Sequence, residues 1–267
     1  MLDAGKRNVL GILIDAVDYE AAVEFVITSA RAGRGASISA LAVHGLMTGV
    51  LDPEQKYRLN HLSLVVPDGQ PVRWALHYLH GTRLPDRVYG PQLTCNVCER
   101  AARENLPVFF YGSTLRVLQA LERQVRRRWP NLTVAGLEPS KFRRLSEIEQ
   151  QQLTGRIRRS GARILFVGLG CPRQEVFSYE FQESVSMPVL AVGAAFAFLA
   201  GELDQAPRWM QDRGLEWLFR LWKEPRRLIW RYVLLNPMYL FLLTLQGMGL
   251  HSFDPSGIAP SSELLYG

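Results

Sequence analysis

Through the first two-thirds of the chain, short apolar and β-branched runs alternate with longer segments whose apolar residues recur at helical spacing. The short runs predict strands at 9–14, 36–43, 63–66, 108–111, 133–137, 164–167 and 189–192. The longer segments predict helices near 19–32, 71–79, 92–104, 114–129, 146–160 and 174–184. Strands separated by helices imply a mostly parallel sheet with helices on both faces, a doubly wound, Rossmann-like α/β layout. Several strand ends carry glycine: Val66-Pro-Asp-Gly69, Tyr111-Gly-Ser113, Val167-Gly-Leu-Gly170 and Val192-Gly-Ala-Ala195. Ligands of such sheets bind beyond the carboxyl ends of the strands, so these turns are where a site is expected.

Beyond Gly201 the pattern changes. Residues 208–231 are rich in Trp and Arg, with seven basic against three acidic side chains. An almost uncharged stretch, 232–250, follows directly and contains Asn236-Pro237. Trp and Arg/Lys together favour a membrane interface with anionic headgroups. Because Pro237 is expected to kink or start a helix, an element lying in the interface is favoured over one that crosses it, with a buried core or oligomer helix as a third reading. The chain is thus divided into an α/β body (1–201), a basic, aromatic appendage (202–252) and a loose tail (253–267).

The composition of the 267 residues, 48% hydrophobic and 21% charged, is that of a folded globular protein. Lys+Arg 31 against Asp+Glu 25 gives a net charge of +6, most of which sits in 208–231. An anionic partner fits this balance; nucleic acid does not, because the adjacent apolar run would leave a large exposed patch. Three cysteines make no disulfide framework and point to a reducing compartment. The run 9–14 is too short for a signal-peptide core and reads as a first strand.

Gly168-Leu-Gly170 follows a strand, but Arg173 stands where a dinucleotide loop needs its third glycine, which disfavours a nicotinamide enzyme. The loop could still cup a phosphate with its N–H groups, with Arg173 and Gln174 reaching the crevice. Asp68 at a strand end is either a helix cap or a general base. Arg87 either neutralises a phosphate or forms a surface salt bridge. The five histidines lack accompanying ligands, no Asp-x-Asp occurs, and Cys95-x-x-Cys98 lies inside a helical pattern, so no metal or other cofactor is expected.

The segments VHGLM (43–47), PDGQPVRW (67–74), DRVYGPQL (86–93), FFYGS (109–113), VGLGCPRQE (167–175), VGAAFAFLAG (192–201) and APRWMQDRGLEWLFRLWKEPRRL (206–228), in this order, resemble the WecG/TagA/CpsF glycosyltransferases. The resemblance implies a cytoplasmic enzyme held at the inner face of the cell membrane. It implies inverting, metal-independent transfer of N-acetylmannosamine or glucose from a UDP-sugar to a polyprenyl-diphosphate-linked sugar, in the assembly of cell-surface polysaccharide. By position, Asp68 matches the catalytic base, Arg87 an active-site arginine and Gln174 the glutamine of the G-x-P-[RK]-Q-E motif. His44, Gly112, Ser113, Gly168, Gly170 and Arg173 are the expected substrate contacts of the body. Arg220, Arg227 and Arg231 are expected to hold a diphosphate. His44 could equally be a packed core histidine.

Three positions depart from the family pattern. Ala40 and Ala42 stand where many members have Thr and Asn, and Ala197 where many have Asp. These departures leave the donor sugar open. A homo-oligomer is compatible with the sequence. A catalytically silent, membrane-bound scaffold is the alternative, and a soluble oxidoreductase a distant third.

Overall fold

The computed structural model describes residues 1–267, apart from the side chains of Arg227 and Arg231. The chain opens with an antiparallel hairpin of β1 (Asp3–Val9) and β2 (Ile12–Val17), followed by α1 (Tyr19–Ala32). Asp18 caps α1 by accepting from the Ala21 N–H. Next come β3 (Ala36–Leu41), α2 (Val43–Leu51), α3 (Pro53–Asn60), β4 (Leu64–Pro67), α4 (Gln70–His80) and α5 (Gly90–Arg103). The second half of the body runs β5 (Val108–Gly112), α6 (Leu115–Arg128), β6 (Val134–Glu138), α7 (Glu147–Arg159), β7 (Ile164–Gly168), α8 (Arg173–Val185), β8 (Pro188–Ala191) and the short α9 (Ala195–Leu199). The appendage comprises α10 (Arg208–Asp212), α11 (Glu216–Lys223) and α12 (Pro225–Gly247).

Six strands form one parallel sheet in the order β4-β3-β8-β7-β5-β6. Side chains alternate across it. Ile38, Phe110, Phe166 and Leu190 face one side and pack on α1, α5 and α6. Leu165, Val167 and Val189 face the other and pack on α7 and α8 through Ile157, Phe177 and Phe181. With both faces covered, the α/β, doubly wound reading of the sequence holds. β3 leads outward to β4 on one side, while β8, the last strand, is its neighbour on the other. Ligand crevices form above such junctions.

The first expected strand, 9–14, spans the hairpin turn instead: Leu10 (φ 56°) and Gly11 (φ 84°) both adopt left-handed backbone, the signature of a two-residue primed turn. The hairpin then covers the free edge of β4, where the Asp15 carboxylate accepts the Val65 N–H at 2.7 Å and pairs with Lys6. The strand expected at 36–43 ends at Leu41, and two helices that the periodicity did not predict, α2 and α3, follow it.

The appendage helix α12 begins at Pro225 and runs through Pro237, so this proline neither starts nor ends it. One side packs on the body: Leu228 and Tyr239 are buried, and the Tyr239 hydroxyl donates to Pro71 O. Its opposite side leaves Trp230, Val233, Leu234, Leu240 and Phe241 exposed. The window Leu228–Gly247 is long and apolar enough to cross a membrane by length and composition alone. The tail is not loose. Leu264 and Leu265 donate to Glu180, Tyr266 bridges to Arg144, and Gly267 donates to Arg143 O.

Candidate active site

The carboxyl edge of the sheet gathers most of the expected residues. Asp68 follows β4, and its N–H donates to Leu41 O on β3. That contact ties the ends of the two strands together. Its Oδ1 accepts the Gly90 N–H from the start of α5 at 2.8 Å. The carboxylate therefore caps a helix that is distant in sequence, and the cap fixes it at the crevice. Burial drives the Asp68 carboxyl up to about 6; Arg87 and the Gly90 N–H draw it down, Glu216 pushes it up and Arg220 again lowers it.

Arg87 lies in the loop before α5, almost buried. Its guanidinium rests 4.3 Å from the Tyr89 ring, donates to Gln211 Oε1 at 3.0 Å and pairs with Glu216 at 2.7 Å. Burial opposes its charge, but Glu216 and Asp68 outweigh burial and hold Arg87 above the usual arginine range. The salt bridge foreseen as one option for Arg87 exists, but it is internal rather than on the surface: it joins body to appendage. Glu216 is the functional neighbour that sequence reasoning passed over. The readable signal was its spacing: Glu216 and Arg220 are four apart on α11 and share one helix face. Through that face α11 sets Glu216 against Arg87 and turns the Arg220 charge toward Asp68.

Gln174 and Glu175 stand buried in the first turn of α8, beside the β8 end. The Gln174 amide donates to Glu175 Oε1 at 2.9 Å, and Ser39 of β3 donates to the same oxygen. A Cβ on Gly193 would lie 3.5 Å from the Gln174 amide, so the turn after β8 lies against it. Burial also pushes the Glu175 carboxyl up.

Gly112 and Gly168 end the neighbouring strands β5 and β7 in register. A Cβ on Gly112 (φ 113°) would come within 2.7 Å of the Gly168 backbone, so only glycine fits. Ser113 follows with φ 57° and donates its N–H to Gly168 O. Gly170 (φ 78°) opens toward space, and its carbonyl accepts the Gln174 N–H at the start of α8. The turn leads directly into the α8 N-terminus, the end of a helix whose dipole favours an anion. His44 occupies the first turn of α2. Arg173 is exposed and lies 5.6 Å from the tail's Tyr266 ring, at the rim of the crevice rather than within it. The side chains of Arg227 and Arg231 lie outside the described residues.

Ala40 and Ala42 flank the same carboxylate. A Cβ on Gly90 would lie 3.3 Å from the Ala40 methyl, and one on Gly69 would lie 3.7 Å from that of Ala42. Cys95 and Cys98 sit buried on α5. Among the described residues no three His, Cys, Asp or Glu side chains converge as metal ligands would.

The strand-end turns, the Asp68–Arg87 pair and α11 thus all fall within a single stretch of sequence, 7–252, which is also the stretch matched by the family model described as "Glycosyl transferase WecG/TagA/CpsF family". That stretch covers most of the 267 residues, and the chain belongs to this family of glycosyltransferases.

Proposed function

We propose that the chain moves a hexosyl or N-acetylhexosaminyl group, glucose or N-acetylmannosamine, from a UDP-sugar to a polyprenyl-diphosphate-linked sugar, with inversion at the anomeric carbon. The carrying observation is a carboxylate held at about 6 between Arg87 and Arg220 at the carboxyl edge of a parallel sheet. A base with that value is mostly ionised at neutral pH yet more basic than an ordinary aspartate. Asp68 takes the proton of the acceptor hydroxyl as its oxygen bonds to the anomeric carbon. The bond from that carbon to the UDP oxygen breaks on the opposite face, and UDP leaves with the electron pair. Arg220, the Gly168–Gly170 turn and the α8 N-terminus are placed to meet the charge that gathers on the diphosphate. Methyl groups at Ala40 and Ala42 offer no hydrogen bond to an acetamido group, so both sugars remain in the donor set.

The test is UDP release from a panel of UDP-sugars, with vesicles carrying a polyprenyl-diphosphate-linked sugar as acceptor. Acceptor-dependent release with one donor is the expected result. UDP binding without release from any donor would instead support the silent scaffold.

The same reading places the protein peripherally on the inner face of the cell membrane. α12 keeps one side on the body and presents an apolar outer side, and the arginine-rich α10–α11 segment precedes it. Such a layout suits a helix lying in the interface. Trp222 and Trp230 are 76% and 72% exposed, so replacing both with Ser leaves the fold intact. The double variant is expected to bind anionic phospholipid vesicles about ten- to a hundredfold more weakly in a sedimentation assay. Unchanged vesicle binding would remove this surface from the account.

A further inference from the structure

A cavity of about 720 Å³ opens beside Arg87, walled by the first half of α5, the end of α6, and α9, and roofed by residues 205–212. The size suits a small polar ligand. Gly112, Ser113, Gly168 and Gly170 do not line it, so it is separate from the turns assigned above to the donor diphosphate. Its inner end is formed by Arg87 and Tyr89, next to Gly90, whose N–H holds Asp68.

The other walls carry uncommitted hydrogen-bonding groups. Arg128 lies over the Trp129 ring at 4.8 Å and donates to Cys95 Sγ, with no carboxylate partner. Among the described residues the side chains of Arg208, Gln124, Gln205 and Asp212 have no hydrogen-bond or ion-pair partner. Neither guanidinium forms an ion pair among the described residues, although Asp86 and Asp212 also line the cavity, and both are suited to phosphate oxygens. Glutamine amides and one free carboxylate are the partners sugar hydroxyls use. The roof leads directly into the aromatic appendage, where Trp209, next to Arg208, is exposed.

We infer that this cavity takes the glycosyl diphosphate head of the acceptor, with the sugar toward Arg87 and the phosphates toward Arg128 and Arg208. A lipid chain on that diphosphate would then leave past Trp209 toward the membrane. The assignment rests on the proposed reaction for its biological sense, whereas the binding itself can be measured without turnover.

The experiment is calorimetric titration of two probes, N-acetylglucosaminyl diphosphate carrying a decyl chain and UDP. The wild type is compared with Arg128→Gln, Arg208→Gln and Gln124→Glu, all at exposed positions. Each variant is expected to weaken the decyl glycosyl diphosphate about tenfold or more, because each removes a charge-assisted contact or adds a repulsive charge. UDP affinity should stay unchanged. Failure of the wild type to bind the decyl probe, or unchanged affinity in all three variants, would overturn the assignment. A parallel loss of UDP affinity would do the same, because the cavity would then be the donor's. Binding that follows these variants in a protein that turns over no UDP-sugar would leave the cavity assigned and remove the proposed reaction.

Discussion

Replacing Asp68 with asparagine is expected to lower kcat by about two to four orders of magnitude while making the fold no less stable at neutral pH. The two effects have one cause. Burial holds the Asp68 carboxyl at about 6, above the ordinary 3.8. The folded protein therefore favours the neutral acid more than the unfolded chain does. Below about pH 4 the group is protonated in both states and has no effect. As pH rises from about 4 to about 6 the wild type loses stability through this group, and above that the full cost, roughly 3 kcal/mol at most, remains. Asparagine is neutral throughout and keeps an oxygen for the Gly90 N–H. Calorimetric melting at pH 5 and pH 7.5, alongside acceptor-dependent UDP release, reads both halves. Near-normal turnover by the variant would refute the base role.

Arg87→Met is expected to destabilise the protein by about 3–5 kcal/mol, the usual result of stripping one partner from a buried ion pair. Glu216 would be left unpaired against Tyr89, and the appendage would lose its ion pair and its Gln211 hydrogen bond to the body. Adding Glu216→Gln should restore much of that stability, giving a coupling energy of at least about 1 kcal/mol in a double-mutant cycle by urea unfolding. The two single variants also move Asp68 in opposite directions. Losing Arg87 raises its carboxyl further, whereas losing Glu216 lowers it, as their signs on Asp68 require. Additive effects in the cycle would mean that the Arg87–Glu216 pair does not hold α11 on the body.

The body of the fold was legible because its strands are short apolar runs, four of them followed by glycine, and its helices carry their own boundaries, such as the Ser146/Glu149 capping box of α7. The departures have physical reasons. Leu10 hides the hairpin turn because an apolar residue in left-handed backbone looks like a strand residue in the sequence. Helix α2 has no side-chain cap at Ala42, and its glycines 45 and 49 pack against Leu41, Ile12 and Leu59, so its reason to be helical is tertiary. Helix α3 did carry a signal, Asp52 capping just ahead of Pro53, that the periodicity search passed over. The tail escaped because backbone groups hold it, and these are the same for every residue type. At the site, Asp68 stood out by its place at a strand end. Its link to the appendage through Glu216 and Arg220 depended on how α11 packs, which no local pattern records.

The most direct test of the account is the pH dependence of kcat/KM for acceptor-dependent UDP release between pH 4.5 and 8. The account predicts an acid limb: activity falls as pH drops through about 6, where Asp68 takes up its proton and can no longer accept one from the acceptor hydroxyl. A profile flat down to pH 5, or the same limb persisting in Asp68→Asn, would contradict Asp68 as the base.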